Sequence, residues 1–219
     1  MCEVYALSVY RVYRVGRIVY DLAVQRPPHN YCEEMYTRYK NVYVKYLQDT
    51  VLPALRERGG AFMLAEIGKR WTNHRDIMVK WMKKFFLYLD NYYTKNNHVP
   101  SLYDTGMLAF KDTMFPLVKD DVTTAILELV AAERAGDSID RSLLKSVVDL
   151  FVQMGLGSMD VYRDGFEVQF LETTASYYAR VALDKAPSST LPEYLQMCSH
   201  QLGLEQTRVG NYLHGETEE

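Results

Sequence analysis

Residues 71–92, WTNHRDIMVKWMKKFFLYLDNY, decide the fold. On a wheel of about 100° per residue the stretch reads as one long helix. Met78, Trp81, Phe85, Leu89 and Tyr92 share one face, with Val79, Met82 and Phe86 on the flank beside it. The polar arc holds Lys80, Lys83, Lys84, Asp90 and Asn91. A helix that only caps a core needs an apolar stripe about 100° wide. The surplus apolar arc calls for a second burial partner, within the chain or on another protein.

Working outward, helical spacing continues on both sides. Cys32, Met35, Tyr36, Tyr39, Val42, Tyr43, Tyr46 and Leu47 form a stripe that uses several of the chain's 18 tyrosines. Tyrosine suits positions whose ring is buried and whose hydroxyl is wet. Pro27-Pro28-His29-Asn30 separates this helix from an N-terminal one, because a proline pair cannot continue a helix and Asn30 can cap the next. Pro53 either kinks the tyrosine helix or starts a new turn after Thr50, and Arg56-Glu57-Arg58-Gly59-Gly60 closes it with glycine for a left-handed cap. Phe62, Leu64, Ile67 and Trp71 suggest a short fourth helix.

Asn96-Asn97-His98-Val99-Pro100-Ser101 is the clearest break. Beyond it the pattern predicts a helix from Leu102 stopped at Pro116, then one ended at Gly136. A third, capped by Asp140, carries Leu144, Val147, Val148 and Phe151 and ends at Gly155-Leu156-Gly157-Ser158. A fourth carries Phe166, Phe170, Thr173 and Tyr177, and a fifth runs from Leu191 to about Leu213. No segment alternates with period two, so the chain reads as all-α with short connections. Two groups of about five helices, divided near residue 100, have the layout of stacked repeat units.

Composition narrows the function. With 48% hydrophobic and 24% charged residues the chain has ordinary globular composition, and a net charge of −3 gives no global basic field for nucleic acid. Three cysteines, Cys2, Cys32 and Cys198, are too few and too scattered for a disulfide framework, which favours free thiols in a reducing compartment. No apolar run reaches the length of a membrane span. The start has the arginines of a transit peptide in Arg11, Arg14 and Arg17, but Glu3 and Asp21 argue against one.

Catalytic signals are weak. The histidines His29, His74, His98, His200 and His214 form no metal-ligand spacing, and Cys198 and His200 point to different faces of a helix. His74, one turn after Trp71, reads as a satisfied structural histidine. Gly155-Leu156-Gly157 follows no strand and reads as a helix stop rather than a nucleotide loop. Glu33, Glu34, Glu133 and Arg134 read as surface charges. No catalytic residue, metal or cofactor is expected. The N-terminal helix is more suggestive: Val12, Val15, Val19 and Leu22 line one face, Tyr13, Ile18 and Tyr20 widen it, and Arg11, Arg14 and Arg17 fill the rest. Those arginines are a solvated face or, in the sharper reading, a surface for an acidic partner.

From about Ile18 to Leu213 the chain resembles the N-terminal helical region of a plant cullin of the SCF class. The resemblance rests on Val19-Tyr20-Asp21, Gln25-Arg26-Pro27-Pro28-His29-Asn30-Tyr31, Thr50-Val51-Leu52-Pro53-Ala54-Leu55-Arg56-Glu57, Phe62-Met63-Leu64 and Arg70-Trp71-Thr72-Asn73-His74. It continues through Ile139-Asp140-Arg141-Ser142-Leu143-Leu144-Lys145, Phe166-Glu167, Ser176-Tyr177-Tyr178-Ala179-Arg180 and Arg208-Val209-Gly210-Asn211-Tyr212-Leu213-His214. It implies stacked cullin-type five-helix repeats forming an elongated stalk, with a first repeat at 1–98 and a second at 99–219. It also implies a non-catalytic scaffold in cytoplasm and nucleus, supporting ubiquitin-dependent protein degradation. The implied partner is a Skp-type adaptor carrying an F-box protein, with no nucleic acid and no membrane. The third repeat and the C-terminal RING-binding domain are expected to be absent, so a RING subunit is not expected to bind.

By the resemblance, the adaptor-binding residues are Val15, Val19, Val79, Met82, Lys83 and Phe86. The start departs from the family pattern: the first aromatic of a Leu-Tyr-Thr-x-Val-Tyr-Asn-like motif falls on Gly16, and Met1 to Arg11 shortens or replaces the first helix. Two other classes fit the same helices. One is a degenerate cullin-like chain that binds nothing or sequesters adaptor as a decoy; the other is an unrelated helical-repeat tether.

Overall fold

A computed structural model describes the backbone of residues 2–25 and 30–218 and the side chains of 13–25 and 30–217. Pro27, Pro28 and His29, and the side chains of Cys2, Arg11 and Val12, lie outside these described residues. Among the described residues there is no strand, and the fold is all-α. In chain order the helices are α1 (Cys2–Ala23), α2 (Cys32–Tyr46), α3 (Leu52–Arg56), α4 (Gly60–Thr72), α5 (Lys80–Phe85) and α6 (Thr94–Asn96). They continue as α7 (Leu102–Thr113), α8 (Phe115–Ala135), α9 (Arg141–Met154), α10 (Asp160–Tyr162), α11 (Val168–Lys185) and α12 (Leu191–Tyr212). Segments Leu47–Val51, Asn73–Val79, Leu89–Tyr93 and Arg163–Glu167 are wound more widely, as π-helix.

Many ends form where local chemistry requires. Asn30 Oδ1 accepts from the Cys32 amide at 3.0 Å, Ser101 Oγ from the Asp104 amide at 3.1 Å and Asp140 Oδ1 from the Leu143 amide at 3.0 Å, each satisfying a donor of a first helical turn. Thr190 and Glu193 form a capping box at the start of α12. Gly60 and Gly136 take positive φ at helix boundaries, where a Cβ would be strained.

Helix boundaries differ from the expectation around Trp71, Phe86 and Pro116. The expected short fourth helix does not end near Trp71: α4, the π segment Asn73–Val79 and α5 follow one another with helical dihedrals at Thr72, Val79 and Lys80. The break comes instead at Phe86 (φ −108°, ψ 23°), inside the stretch expected to be one helix, and the Phe86 amide turns back to Lys83 O at 3.1 Å. Pro116 does not stop a helix but sits in the first turn of α8, where its missing N–H has no intrahelical partner to lose. Pro53 agrees with the second of its two expected readings: it lies in the first turn of α3, after a π segment in which the Leu52 amide reaches back to Leu47 O.

The chain divides into two compact units, one of residues 1–54 and 69–117, the other of 55–68 and 118–219. In the first, α2 packs on α7, and Ala23, Cys32, Tyr39, Tyr43, Val79, Leu89, Leu102 and Ala109 form the core. Tyr39 and Tyr43 are buried whole, so their hydroxyls are not wet: Tyr43 donates to Tyr39 at 3.1 Å, and burial holds the Tyr43 phenol up at about 12. Val79 sits against Gly106 so closely that a Cβ on Gly106 would lie 2.8 Å from Val79 Cγ2. Beside it His74, 1% exposed, reaches the Gly106 carbonyl at 2.8 Å from Nε2. A carbonyl cannot donate, so Nε2 carries the proton and Nδ1 is an acceptor. Nδ1 is buried with no partner, so the structural histidine is only half satisfied. Burial lowers its pKa and keeps it neutral, against a smaller upward pull from the bond to Gly106.

The second unit has an apolar core that includes Leu144, Val147, Val148, Leu150, Phe151, Phe166 and Phe170, and beside it a polar one. Glu133 and Arg134 are not surface charges. The Glu133 side chain is 7% exposed and that of Arg134 3%. Glu133 accepts from Arg141 Nε (2.7 Å), Arg208 Nε (3.0 Å) and Tyr212 OH (2.8 Å). Arg134 grips both oxygens of Glu205 at 3.0 and 3.1 Å and donates to Thr174 Oγ1 at 2.8 Å. Its guanidinium lies over the rings of Phe170, Tyr177 and Tyr178. Arg208 Nη1 reaches Glu205 at 2.7 Å and so joins the two acids. Burial pushes the Glu133 carboxyl up, but its three donors outweigh that and leave it below the ordinary value. The cause of the misreading is physical: adjacent residues on α8 were expected in solvent, but α12 brings matching charges to both.

Two substitutions test these packings. Gly106→Ala forces the stiff, buried Val79 to shift and should cost about 1–3 kcal/mol, read as a lowered urea midpoint with unchanged slope. Arg208→Ala removes one donor from each of two buried carboxylates, which keep Arg141 and Tyr212 on Glu133 and Arg134 on Glu205, and should cost about 1–3 kcal/mol, read in the same way.

Candidate functional site

α1 and α5 pack side by side within the first unit. Between them runs a groove of 680 Å³. Tyr13, Gly16, Arg17, Tyr20 and Asp21 line it from α1; Trp81, Lys84, Phe85, Leu87 and Tyr88 line it from α5 and the turn after it. The α1 residues are spaced at three and four, so they fall on one helix face. The two sides meet where Tyr20 sets its ring edge-on to Tyr88, centroids 5.1 Å apart. Trp81 and Phe85 are 5.9 Å apart along the other wall. Trp81 and Leu87 are each 50% exposed, and Tyr13 66%, which is much apolar surface for one small area.

The charged residues that line the groove are Arg17, Lys84 and Asp21. From Tyr13 onward, α1 and α5 carry the bases Arg14, Arg17, Lys80, Lys83 and Lys84 against the single acid Asp21. Asp21 lies 4.0 Å from Arg17. Lys80 is paired with Asp76 (2.6 Å) and Lys83 with Asp90 (3.1 Å), both acids coming from the flanking π segments. The Asp76 carboxyl is held well below the ordinary range by its hydrogen bonds to Arg75 and Lys80. Of the groove's lining, Arg17 and Lys84 are exposed bases, one of them beside Asp21, and Arg14 is exposed elsewhere on α1.

The structure brings the two helices of the expected site together but turns α5 over. Val79, expected on the partner-facing flank, is 0% exposed and packs under Gly106. Met82 and Phe86 pack against the core, Phe86 meeting Tyr39 edge-on at 5.4 Å. Trp81 and Tyr92, expected toward the core, face out. The cause is the π segment Asn73–Val79: an i→i+5 turn holds more residues than an α turn, so a 100° wheel drawn through it places the following residues on the wrong side. Leu89 is buried as expected. Val19 is buried too, while Val15 is 48% exposed on the neighbouring face of α1. Lys83 spans from α5 to Asp90, whose Oδ1 accepts from the Leu102 amide at 2.7 Å, so this lysine helps hold the start of α7. Sequence reasoning missed Trp81, Phe85, Leu87 and Tyr88 as groove residues. Their signal was the same surplus of apolar arc, assigned to the other side.

Among the described residues no group of His, Cys, Asp and Glu side chains could hold a metal ion, and no helix is long and apolar enough to cross a membrane. Cys32 and Cys198 are free thiols.

An all-α chain whose distinctive surface is an aromatic groove between two helices has the features of a helical docking scaffold. Comparison with known proteins makes this specific. A family model, the cullin alpha solenoid domain, matches residues 3–219, and the chain belongs to the cullin family. It is 40% identical over 201 residues to putative cullin-like protein 1 of Arabidopsis thaliana, covering 92% of this chain and 28% of that protein. It is 42% identical over 200 residues to cullin-2 of Arabidopsis thaliana, covering 91% and 27%. It is 39% identical over 201 residues to cullin-1 of Oryza sativa subsp. japonica, covering 92% and 27%. The chain thus spans less than a third of the length of these relatives.

The reversed face has a direct test. Met82→Asp with Phe86→Asp should abolish cooperative thermal unfolding followed by circular dichroism, because both side chains are packed on the core. Trp81→Ala with Leu87→Ala should leave the melting midpoint within a few degrees of wild type.

Proposed function

We propose that this chain is a scaffold portion of a cullin-RING ubiquitin ligase of the SCF type and holds a Skp-type adaptor with its F-box protein in the α1–α5 groove. The observation that carries the reading is the groove itself: two helices present adjacent aromatic faces, with Arg17 and Lys84 in the lining, in a chain that belongs to the cullin family. The role is structural, with the chain supplying position rather than chemistry to protein degradation in cytoplasm and nucleus. In this reading residues 1–98 form a first five-helix repeat and 99–219 a second. Of the six residues expected to grip the adaptor, Val15 is exposed beside the groove, while Val19, Val79, Met82, Lys83 and Phe86 act from beneath it by fixing the two helices.

Burying Trp81 and Leu87 against a partner contributes about 1.5–3 kcal/mol per side chain when water is fully excluded. Isothermal calorimetry against a purified plant Skp adaptor bound to an F-box peptide is the test. Wild type should give saturable heat at micromolar concentration. Trp81→Asp should weaken binding at least tenfold, and raising salt should weaken it further because Arg17 and Lys84 line the groove. A folded wild-type chain that gives no heat at tens of micromolar overturns the proposal.

A further inference from the structure

We propose that the outer face of the α11–α12 hairpin pairs with the same face of a second copy of this chain about a two-fold axis. The inference is independent of the α1–α5 groove.

Over residues 171–207 no residue is buried. The two helices run antiparallel. Arg134 of α8 bridges Thr174 and Glu205, and the Tyr178 hydroxyl reaches Glu205 at 2.6 Å and Gln201 at 3.5 Å. Phe170, Thr174 and Tyr177 turn one side of α11 to Arg134. At about 100° per residue Val168, Leu171, Ala175, Ala179 and Ala182 fall together on another side of α11, and Leu191, Leu195, Cys198 and Leu202 fall together on α12. Both stripes border the same cavity of 360 Å³, whose lining includes Tyr178, Ala182, Cys198 and Leu202, so they form one surface. That surface is open: Leu191 is 72% exposed, Leu195 58% and Leu202 67%, with Val168 and Leu171 nearly half exposed.

Three properties of this surface select a second copy as its occupant. Its size is the first. The exposed leucines and valine leave on the order of 500 Å² of apolar area, as much as the largest patch on a typical monomer. A stable dimer takes about 800 Å² from each partner, and the alanines and the polar edges supply the remainder. Charge is the second. Pairing a face with its own copy sets like charges near one another, so the face must be neutral. The α11 stripe carries no charge, and α12 has no Asp, Glu, Lys or Arg from Tyr194 to Leu204. Relief is the third. Leu191, Leu195 and Leu202 make a ridge on α12, and Ala175, Ala179 and Ala182 make a shallow row on α11 beside it. A two-fold rotation about an axis along the helices lays the ridge of each copy in the row of the other.

Sedimentation equilibrium of the purified chain tests this. Between about 1 and about 100 μM the mass should rise from that of one chain toward that of two, and the melting midpoint should rise with it. Leu195→Glu with Leu202→Glu should weaken pairing at least a hundredfold while melting in dilute solution as wild type does. Ala179→Leu adds apolar area but fills the row, and should weaken pairing at least tenfold. Trp81→Ala with Leu87→Ala, in the other groove, should pair like wild type. A wild-type chain that stays single at 100 μM overturns the proposal and leaves the face to a different occupant. A double glutamate variant that still pairs, or that melts lower in dilute solution, overturns it too, the first because the contact lies elsewhere and the second because the leucines serve the fold. An Ala179→Leu chain that pairs as tightly as wild type overturns the ridge-in-row fit. Loss of pairing in the Trp81 and Leu87 variant places the contact in the α1–α5 groove and overturns it as well.

Discussion

The first unit turns on one close approach, that of Gly106 on α7 to Val79 and His74 on the π segment. Val79 can lie under α7 only because position 106 has no Cβ. His74 fixes the same contact with a buried hydrogen bond to the Gly106 carbonyl, and the cost is an unpartnered Nδ1. An orphaned buried acceptor is unfavourable by about 1–3 kcal/mol. Apolar contacts around the ring, with Tyr43 and Phe110 centroids 5.3 and 5.2 Å away, offset it. With Val79 pointing inward, the next residues have no freedom. Met82 and Phe86 follow it to the core, and Trp81, Lys84 and Phe85 are carried outward to face α1. The groove is in this sense a consequence of the packing at position 106, some twenty residues away in sequence.

What the sequence made legible were features written in one or two residues. Asn30, Asp140, Gly60 and Gly136 each mark a boundary by their own chemistry, and each does so in the structure. The long apolar runs also read correctly as helix, because 3.6-residue periodicity survives over two or three turns. The π segments left no such mark. Asn73–Val79 has no glycine, no proline and no cap, so nothing in its residue types announces the extra residue per turn. The error it introduces is small locally and large downstream, since it rotates every later position on α5. The presence of a groove was therefore readable from the apolar surplus, while its walls were not.

The same limit explains the charges. Glu133 and Arg134 adjoin on α8 and look like any solvated pair, and their partners Glu205, Arg208 and Tyr212 are more than seventy residues away in sequence. Each of the four charged groups meets an opposite charge, which is the condition for leaving charge buried. The basic groups of the first unit are arranged differently. Lys80 and Lys83 are paired by acids from neighbouring segments, but Arg14, Arg17 and Lys84 reach solvent. One set of ion pairs is closed on itself and ties α8, α11 and α12; the other leaves basic groups at the surface.

Tyrosine shows why core and surface were hard to separate by residue type alone. Tyr39 and Tyr43 lie in the core with their hydroxyls bonded to each other, and Tyr36 sends its hydroxyl to Thr105 at 2.7 Å, tying α2 to α7. Tyr13, Tyr20 and Tyr88 line the groove with rings that remain partly open to water. The same side chain serves both environments because its ring gains from burial and its hydroxyl tolerates either a protein partner or solvent. A leucine stripe would have marked the core and a serine stripe the surface, but a tyrosine stripe is compatible with each. Only the geometry set by Val79 and Gly106 decides which rings are enclosed and which stay open to water.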